Sequence, residues 1–392
     1  MKYFFSFLLA AFISINAQGN TGRISGVVID EQTKLPIENV NIYIANSLVG
    51  TSTDKNGEFQ FPDLTPGRYT IIFSHLTYMN KTEKVDFFKD KKVNMSISLA
   101  PKPIEFPEIA VKDKYDDDWW EMFDTFKDEL LGSTWFADGC EILDPYHINL
   151  FESDEGVLFA ESEKPIQVEN RSLGYNVTFF LKHFEYKVGM IKYAGIPYFE
   201  EMYSENPEDS LAWRENRLEA YMGSLRHFLR ALSECYDLVT KEDSTFKTVS
   251  ANDNLNGGMD DDGRIQDKFF AKQGFSVYLN KLYSNALGKK YVSSIFNIES
   301  VIDSARNPNE LVFVCNDKIE IQYFKEYNDF DYSPQISYIQ LYGNSVYFDK
   351  LGRYYDEYKI ETMGYLYKQR LAEMLPFEYE PSDSVLFNTD FR

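Results

Sequence analysis

Four basic side chains, Arg214, Arg217, His227 and Arg230, recur along one apolar-striped run and are the first candidates for ligand chemistry in the chain. Guanidinium forks match carboxylates and phosphates, so a groove lined by them would hold an anionic ligand. The competing reading pairs the same cations with Glu215, Glu219 or residues of a neighbouring sheet. Catalytic motifs are harder to find. His75, His147, His183 and His227 open the runs HLTY, HINL, HFEY and HFLR, none of which is an HxxE or HExxH zinc motif. No GxSxG elbow or GxxxxGK[ST] phosphate loop occurs, and the two S-x-x-K matches, at Ser52 and Ser244, fall on a turn and in a polar segment. No catalytic residue, metal ligand or cofactor is therefore assigned. Paired carboxylates of the glycosidase kind stay open, because spacing along the chain does not give their separation.

The cysteines Cys140, Cys235 and Cys315 are odd in number and far apart, so no disulfide framework or zinc site is expected. Cys235 and Cys315 fall on apolar faces and read as buried thiols. The polar run ANDNLNGGMDDDG, residues 251–263, suggests calcium, but placing Gly263 sixth in an EF-hand loop puts Gly258 first and Phe269 last, so a solvated loop is expected. Asp54 and Asn56 share one turn and offer too few oxygens for Ca²⁺.

These residues sit in a chain of 392 residues with 44 % hydrophobic and 26 % charged side chains, a globular composition of two to three domains. The formal charge of −22 opposes binding to nucleic acid or anionic lipid. The first residues, MKYFFSFLLAAFISINAQ, set Lys2 before an apolar run from Phe4 to Ile15 and small Ala17 before Gln18, which reads as a secretory signal over residues 1–17. No later run reaches the ~20 residues of a membrane span, so no transmembrane segment is expected after cleavage. An exported protein follows, periplasmic, outer-membrane-associated or extracellular.

Residues 18–100 read as short strands between turns. RISGVVID, NVNIYIA, VGTSTD, GEFQF, RYTIIFSH and KVNMSISL alternate, and Gly57 after Asp54-Lys55-Asn56 can supply the positive φ of a hairpin turn. The series Gly26, Pro36, Val40, Gly50-Thr51, Thr53-Asp54, Gly57, Phe59, Pro66-Gly67 and Tyr69 resembles the carboxypeptidase regulatory-like family. That resemblance implies an all-β, seven-stranded prealbumin-like sandwich, an accessory module without catalysis.

Three prolines and a charge cluster in PKPIEFPEIAVKDKYDDD mark a linker over residues 101–118, before a region at 119–392. Residues 19–101 carry 9 basic and 9 acidic side chains against 30 and 53 in residues 102–392, so the negative charge belongs to the second region. There, DDDWWEMFDTFKDELLG spaces Trp119, Phe123, Phe126 and Leu130 helically behind an acidic first turn, with Gly132 as stop. Leu218, Met222, Leu225, Leu229, Leu232 and Tyr236 stripe one long helix from Glu208 to Asp237. VLFAES and GYNVTFFLKHFEY are strands, LVFVCNDKIEIQYF and YIQLYGNSVYFDKLG read as hairpins, and MGYLYKQRLAEML as a closing helix. The class is α+β, mixed helices with antiparallel sheet. Several runs, LGSTWFADGCEILDP and WRENRLEAYMGSLRHFLRAL among them, resemble the companion segment of carboxypeptidase regulatory-like proteins exported by Gram-negative bacteria, from which no functional residue carries over.

The leading expectation is a non-catalytic envelope protein whose sandwich docks or adheres and whose C-terminal region binds a partner, such as an outer-membrane protein, or a glycan. An accessory component of a TonB-dependent uptake system is the alternative, since FPEIAV resembles the strand after such sandwiches; an enzyme of unrecognised type is the third. Ser210, Ser244, Ser304 and Ser384 each follow Asp and precede Leu, Thr, Ala or Val, resembling a short O-glycosylation sequon of some Gram-negative envelopes. The mass of the protein purified from its native host should then exceed that of the mature chain; an unmodified mass ends the idea.

Overall fold

The computed structural model describes residues 22–87, 92–103, 115–240, 264–285, 288–327, 333–355 and 357–381. The signal segment 1–17, the FPEIAV strand, the acidic loop 251–263, Ser244 and Ser384 lie outside them. The chain divides into two compact units, Met1–Ile42 with Gly50–Lys102, and Tyr43–Val49 with Pro103–Arg392.

The first unit is all-β. Its strands are β1 (Arg23–Asp30), β2 (Asn41–Ile44), β3 (Gly50–Ser52), β4 (Glu58–Gln60), β5 (Gly67–His75), β6 (Tyr78–Phe87) and β7 (Lys92–Leu99). They form two sheets, β4-β1-β7 and β3-β2-β5-β6, with β1 and β7 parallel. Inward residues of both sheets make the core: Ile24 and Val28 of β1, Phe59 of β4, Ile71 and Phe73 of β5, and Ile97 and Leu99 of β7 are buried. The Phe59 and Phe73 rings meet edge to face at 5.7 Å, and each buried aromatic or aliphatic side chain contributes about 1.5–3 kcal/mol. The turn before Gly57 forms as expected, with Gly57 at φ 71°. Asp54 Oδ1 accepts the N–H groups of Asn56 at 2.8 Å and Glu58 at 2.9 Å. It is not a hairpin turn, because β3 and β4 lie in different sheets.

The second unit is α+β and builds two cores. In the first, α1 (Asp117–Leu131) packs on a six-stranded antiparallel sheet of β8 (Cys140–Leu143), β9 (Ile148–Glu152), β10 (Leu158–Ser162), β11 (Ile166–Asn170), β12 (Tyr175–Lys187) and β13 (Met190–Glu201). Asp116 caps α1 by accepting the Trp119 N–H at 3.0 Å, and Gly132 ends it. Trp119, Phe123, Phe126 and Leu130 are all buried, Phe126 against Phe184 of β12 at 4.7 Å. Strand β12 is long enough to pair with β11 over its first half and β10 near its end, with β13 along its other edge.

The second core holds α3 (Leu225–Thr240), which follows α2 (Pro207–Tyr221), and α4 (Ile265–Gln273). It is closed by β14 (Phe275–Asn285), β15 (Gly288–Ile295), β16 (Ile302–Ser304), β17 (Glu310–Val314), β18 (Lys318–Tyr327), β19 (Pro334–Leu341), β20 (Ser345–Asp349), β21 (Ile360–Gly364) and the short α5 (Tyr365–Lys368). The strands form two sheets, β15-β14-β18-β19-β21 and β16-β17-β20. Leu229 and Leu232 of α3, Ile319 and Ile321 of β18, and Phe313 and Phe348 of the smaller sheet share this core.

Three expectations are corrected. The stripe from Glu208 to Asp237 is two helices, because Met222 is extended and Gly223 takes φ 72°. Ser224 restarts the helix by accepting the His227 N–H on Oγ at 3.2 Å. Neither expected hairpin forms: β17 and β18 lie in different sheets, as do β19 and β20, so the turns at 315–317 and 342–344 carry the chain from sheet to sheet. The two crossings meet where the Cys315 N–H donates to the Asn344 carbonyl at 3.1 Å. The run MGYLYKQRLAEML is no continuous helix: it ends β21, forms α5, turns extended at Gln369 and closes with a single 3₁₀ turn, Leu371–Glu373.

A Cβ at Gly223 would stand 2.7 Å from the Tyr323 ring as well as in the left-handed region. Gly223→Ala should therefore lower stability by about 1–3 kcal/mol, read as a lower urea midpoint of the full chain at unchanged slope; an unchanged midpoint would show that the break tolerates a side chain.

Candidate functional site

The four basic candidates do not converge. Arg214 is exposed on α2. Arg217 fastens the β11–β12 turn: Nε donates to the Leu173 carbonyl at 2.7 Å, Nη2 to Gly174 at 3.1 Å, and Nη1 to Glu201 at 2.8 Å, with the guanidinium 3.9 Å above the Tyr175 ring. Arg230 donates to Glu234 at 2.8 Å. His227 is buried; its Nδ1 accepts the Gly223 N–H at 3.1 Å, and burial pushes the ring down to about 3, so it is a neutral core histidine. These partners follow the pairing reading, though with Glu201, Glu234 and backbone carbonyls in place of Glu215 and Glu219. The three cysteines are free, and burial pushes the thiols of Cys140 and Cys235 up to about 12, far from reactive. Ser210 on α2 and Ser304 at the end of β16 are exposed.

A cavity of about 1000 Å³ opens instead in the second unit. Its walls are the β12–β13 turn, the joint between α2 and α3, strand β21 with α5, and the segment 369–377. Six tyrosines line it: Tyr193, Tyr221, Tyr342, Tyr354, Tyr358 and Tyr367. Tyr342 and Tyr358 are 55 % and 63 % exposed.

Most charges in the wall are engaged by the protein. Arg226 donates to the carbonyls of Pro376 at 2.8 Å, Phe377 at 2.9 Å and Tyr379 at 2.7 Å, tying the last described segment to α3. Arg370 donates to the carbonyl and carboxylate of Glu129. Glu361 accepts from the Tyr342 hydroxyl at 2.8 Å, and Lys192 reaches Glu185 at 3.5 Å. Glu373 stands apart. It is 7 % exposed, and its Oε1 is buried with no hydrogen-bond partner among the described residues. Burial pushes its carboxyl up to about 7 against hydrogen bonding from Thr134 and Gln369, with Glu219 adding to the rise. At neutral pH this group is shared between acid and carboxylate, able to donate as well as accept.

Such a wall suits stacking and hydrogen bonding to a ligand of low charge. Sequence reasoning missed Arg226, Glu373 and the tyrosines: MGYLYKQRLAEML, which holds Tyr367 and Glu373, read as a closing helix, and the other lining residues come from elements far apart in the chain. The density of tyrosine from Tyr338 to Tyr379 was the available signal. Among the described residues, no three His, Cys, Asp or Glu side chains are placed to hold a metal ion, and no helix is long and apolar enough to cross a membrane, which leaves β-barrel spans unaddressed.

With the seven-stranded sandwich and its turns described, the comparison with known families becomes specific. Residues 24–111 match the CarboxypepD_reg-like domain. No curated protein matches the chain. Among solved structures, the group B streptococcus pilus 2b backbone protein is 17 % identical over 20 % of this chain and 41 % of its own, with a TM-score of 0.19. A type II cohesin–X-dockerin complex from Acetivibrio cellulolyticus is 21 % identical over 20 % of this chain and 56 % of its own, TM-score 0.17. Klebsiella pneumoniae 5-hydroxyisourate hydrolase is 15 % identical over 21 % of this chain and 92 % of its own, TM-score 0.18. The chain thus spans less than two thirds of the first two, and likenesses at these TM-scores carry no functional argument. The CarboxypepD_reg-like domain is established by the match to its family and by its strands.

Because the folded-state pKa of Glu373 lies above that of a free carboxyl, the folded protein binds the extra proton between about pH 4.5 and 7, and stability should fall as pH rises through that window. Glu373→Gln should remove the dependence, so that its stability relative to the parent is greater at pH 8 than at pH 4.5 by roughly 3 kcal/mol; parallel pH profiles from urea denaturation would contradict this.

Proposed function

We propose that the chain is a non-catalytic exported envelope protein whose CarboxypepD_reg-like sandwich serves as a docking or adhesion module and whose second unit holds a ligand, a glycan or a segment of a partner, in the tyrosine-lined cleft. Export rests on the signal-like residues 1–17, and the accessory role of the sandwich on its family. The observation that carries the binding reading is the wall of the cleft. Its arginines, Lys192 and Glu361 are held by protein groups, while Tyr342 and Tyr358 are more than half exposed. Aromatic faces stack on the C–H surfaces of sugars and on apolar side chains, and the neighbouring hydroxyls and the Glu373 carboxyl supply orientation.

The test is isothermal titration of the full chain with neutral disaccharides, alongside crosslinking and mass spectrometry from its own host envelope. Tyr342→Ala with Tyr358→Ala should weaken disaccharide binding by about tenfold or more, as expected when stacking worth ~0.5–1.5 kcal/mol per ring is removed. Turnover of the sugar by the parent would overturn the non-catalytic reading, and unchanged affinity in the variant would remove the cleft as the binding site.

A further inference from the structure

The cleft runs along the outer edges of two sheets. Strand β13 pairs with β12 alone and β21 with β19 alone, so each leaves one edge free of a neighbouring strand. Every residue of 189–195 and of 360–364 lines the cavity. Successive side chains of a strand point to opposite faces, so a lining that takes in all of them follows the edge of each strand and not one of its faces.

Backbone parity shows what these edges offer. The Asn46 N–H donates to the Pro197 carbonyl at 2.8 Å, the Phe199 N–H to the Ser47 carbonyl at 3.0 Å, and the Ile191 N–H to the Tyr367 hydroxyl at 3.1 Å. Both backbone groups of one residue leave a strand on the same side, so the odd-numbered residues of β13 turn theirs away from β12. The bulge between Leu181 and His183 lies in β12 and leaves the alternation of β13 intact. Tyr193 and Gly195 stand within this outward set and are half-buried, and among the described residues no hydrogen bond reaches their N–H or C=O groups. On β21, the Tyr342 N–H donates to the Lys359 carbonyl at 2.8 Å, which turns Lys359 and Glu361 toward β19 and the backbone of Ile360 and Thr362 outward.

Two observations select a polypeptide as occupant. The open groups recur at alternate residues, about 7 Å apart, one donor and one acceptor from each, which is the repeat of an extended chain. The same edge also carries polypeptide already: residues 46 and 47, in the segment Tyr43–Val49 of this unit, occupy it at Pro197 and Phe199. A strand entering beside Tyr193 and Gly195 continues that main-chain pairing toward the β12–β13 turn, and an unpaired sheet edge is a template for such an addition. The 53 acidic against 30 basic side chains of residues 102–392 set the sign of the segment, since the field opposes an acidic one.

We propose that the cleft takes an extended, non-acidic segment of a partner protein as an added strand on β13, paired through the backbone of Tyr193 and Gly195. The inference rests on the reading of the cleft as a binding site and specifies its occupant. The probe is a library of acetylated, amidated heptapeptides with Lys at both ends and Thr, Val, Ile, Ser or Tyr between, titrated against the full chain. The tightest member is then remade with its backbone nitrogens methylated at alternate positions, in the odd or in the even set. At least one methylated set should lose tenfold or more in affinity, because the methyl groups remove the donors of one edge. In the parent, the bound peptide should slow amide hydrogen exchange at Tyr193 and Gly195 tenfold or more and leave Lys192 and Ala194, which face β12, unchanged. Undiminished affinity of both methylated sets, or unchanged exchange at Tyr193 and Gly195, would overturn strand addition while leaving the cleft reading in place. So would the absence of any library member binding below ~1 mM if a disaccharide binds and loses affinity in Tyr342→Ala with Tyr358→Ala. Absence of binding by peptides and disaccharides alike would overturn both readings. A dimer of the parent that protects Tyr193 and Gly195 without peptide would assign the edge to a second copy of the chain and overturn the proposal.

Discussion

The second unit turns on three residues, Met222, Gly223 and Ser224, where one apolar stripe breaks into two helices. Gly223 at φ 72° reverses the chain, its N–H is taken by His227 Nδ1, and Ser224 supplies the cap that starts α3. The break lets the two helices serve different neighbours. Helix α2 lies along the β11–β12 turn, where Trp213 donates to the Arg171 carbonyl at 2.8 Å and Asn216 to Ser172 at 2.7 Å, and α3 runs buried through the second core. A straight helix would send its continuation away from one of the two, and the cleft exists because the joint is bent: Tyr221, Ser224, Leu225 and Arg226 form one of its walls.

Arg226 then fixes the opposite side. A partly buried guanidinium needs acceptors, and it finds three consecutive-region carbonyls in the segment 376–379, which holds that segment as an irregular strap with its backbone groups satisfied. Arg217 performs the same service for the β11–β12 turn, and Arg370 for the end of α1 through the Glu129 carbonyl. In each case an arginine is an internal clamp on backbone oxygens, Arg217 among the residues that look ligand-binding in the sequence. The fork geometry that suits phosphate suits paired carbonyls equally well, and irregular chain near a helix end presents such carbonyls in number.

What the sequence disclosed follows the range of the interaction concerned. Strand alternation, the acidic first turn and Gly132 stop of α1, and the positive φ of Gly57 are set by neighbours within a few residues, and all were legible. Pairing was not. Gly343-Asn344 is good turn chemistry, with both residues at positive φ, yet the strands it joins lie in different sheets, because the choice of partner depends on Cys315 and the β17 edge nearly thirty positions earlier. The stripe through Met222 kept its periodicity across the break, since Leu225, Leu229 and Leu232 re-enter a core after the turn, and a periodicity test cannot see a reversal that preserves phase. The cleft was hidden for the same reason: its lining comes from elements far apart in sequence, and only tyrosine enrichment near the C-terminal end marked it.

Charge carries the last step. Residues 102–392 hold 53 acidic against 30 basic side chains, so the field around the second unit repels anions at long range. Within the cleft, by contrast, charges are paired, Arg370 with Glu129 and Lys192 with Glu185, and burial makes Glu373 hold its proton up to about pH 7. A surface that is acidic overall disfavours anionic ligands by its field. The cleft wall suits stacking and hydrogen bonding to an uncharged molecule, and the bend at Gly223 brings Tyr221 and Arg226 into it.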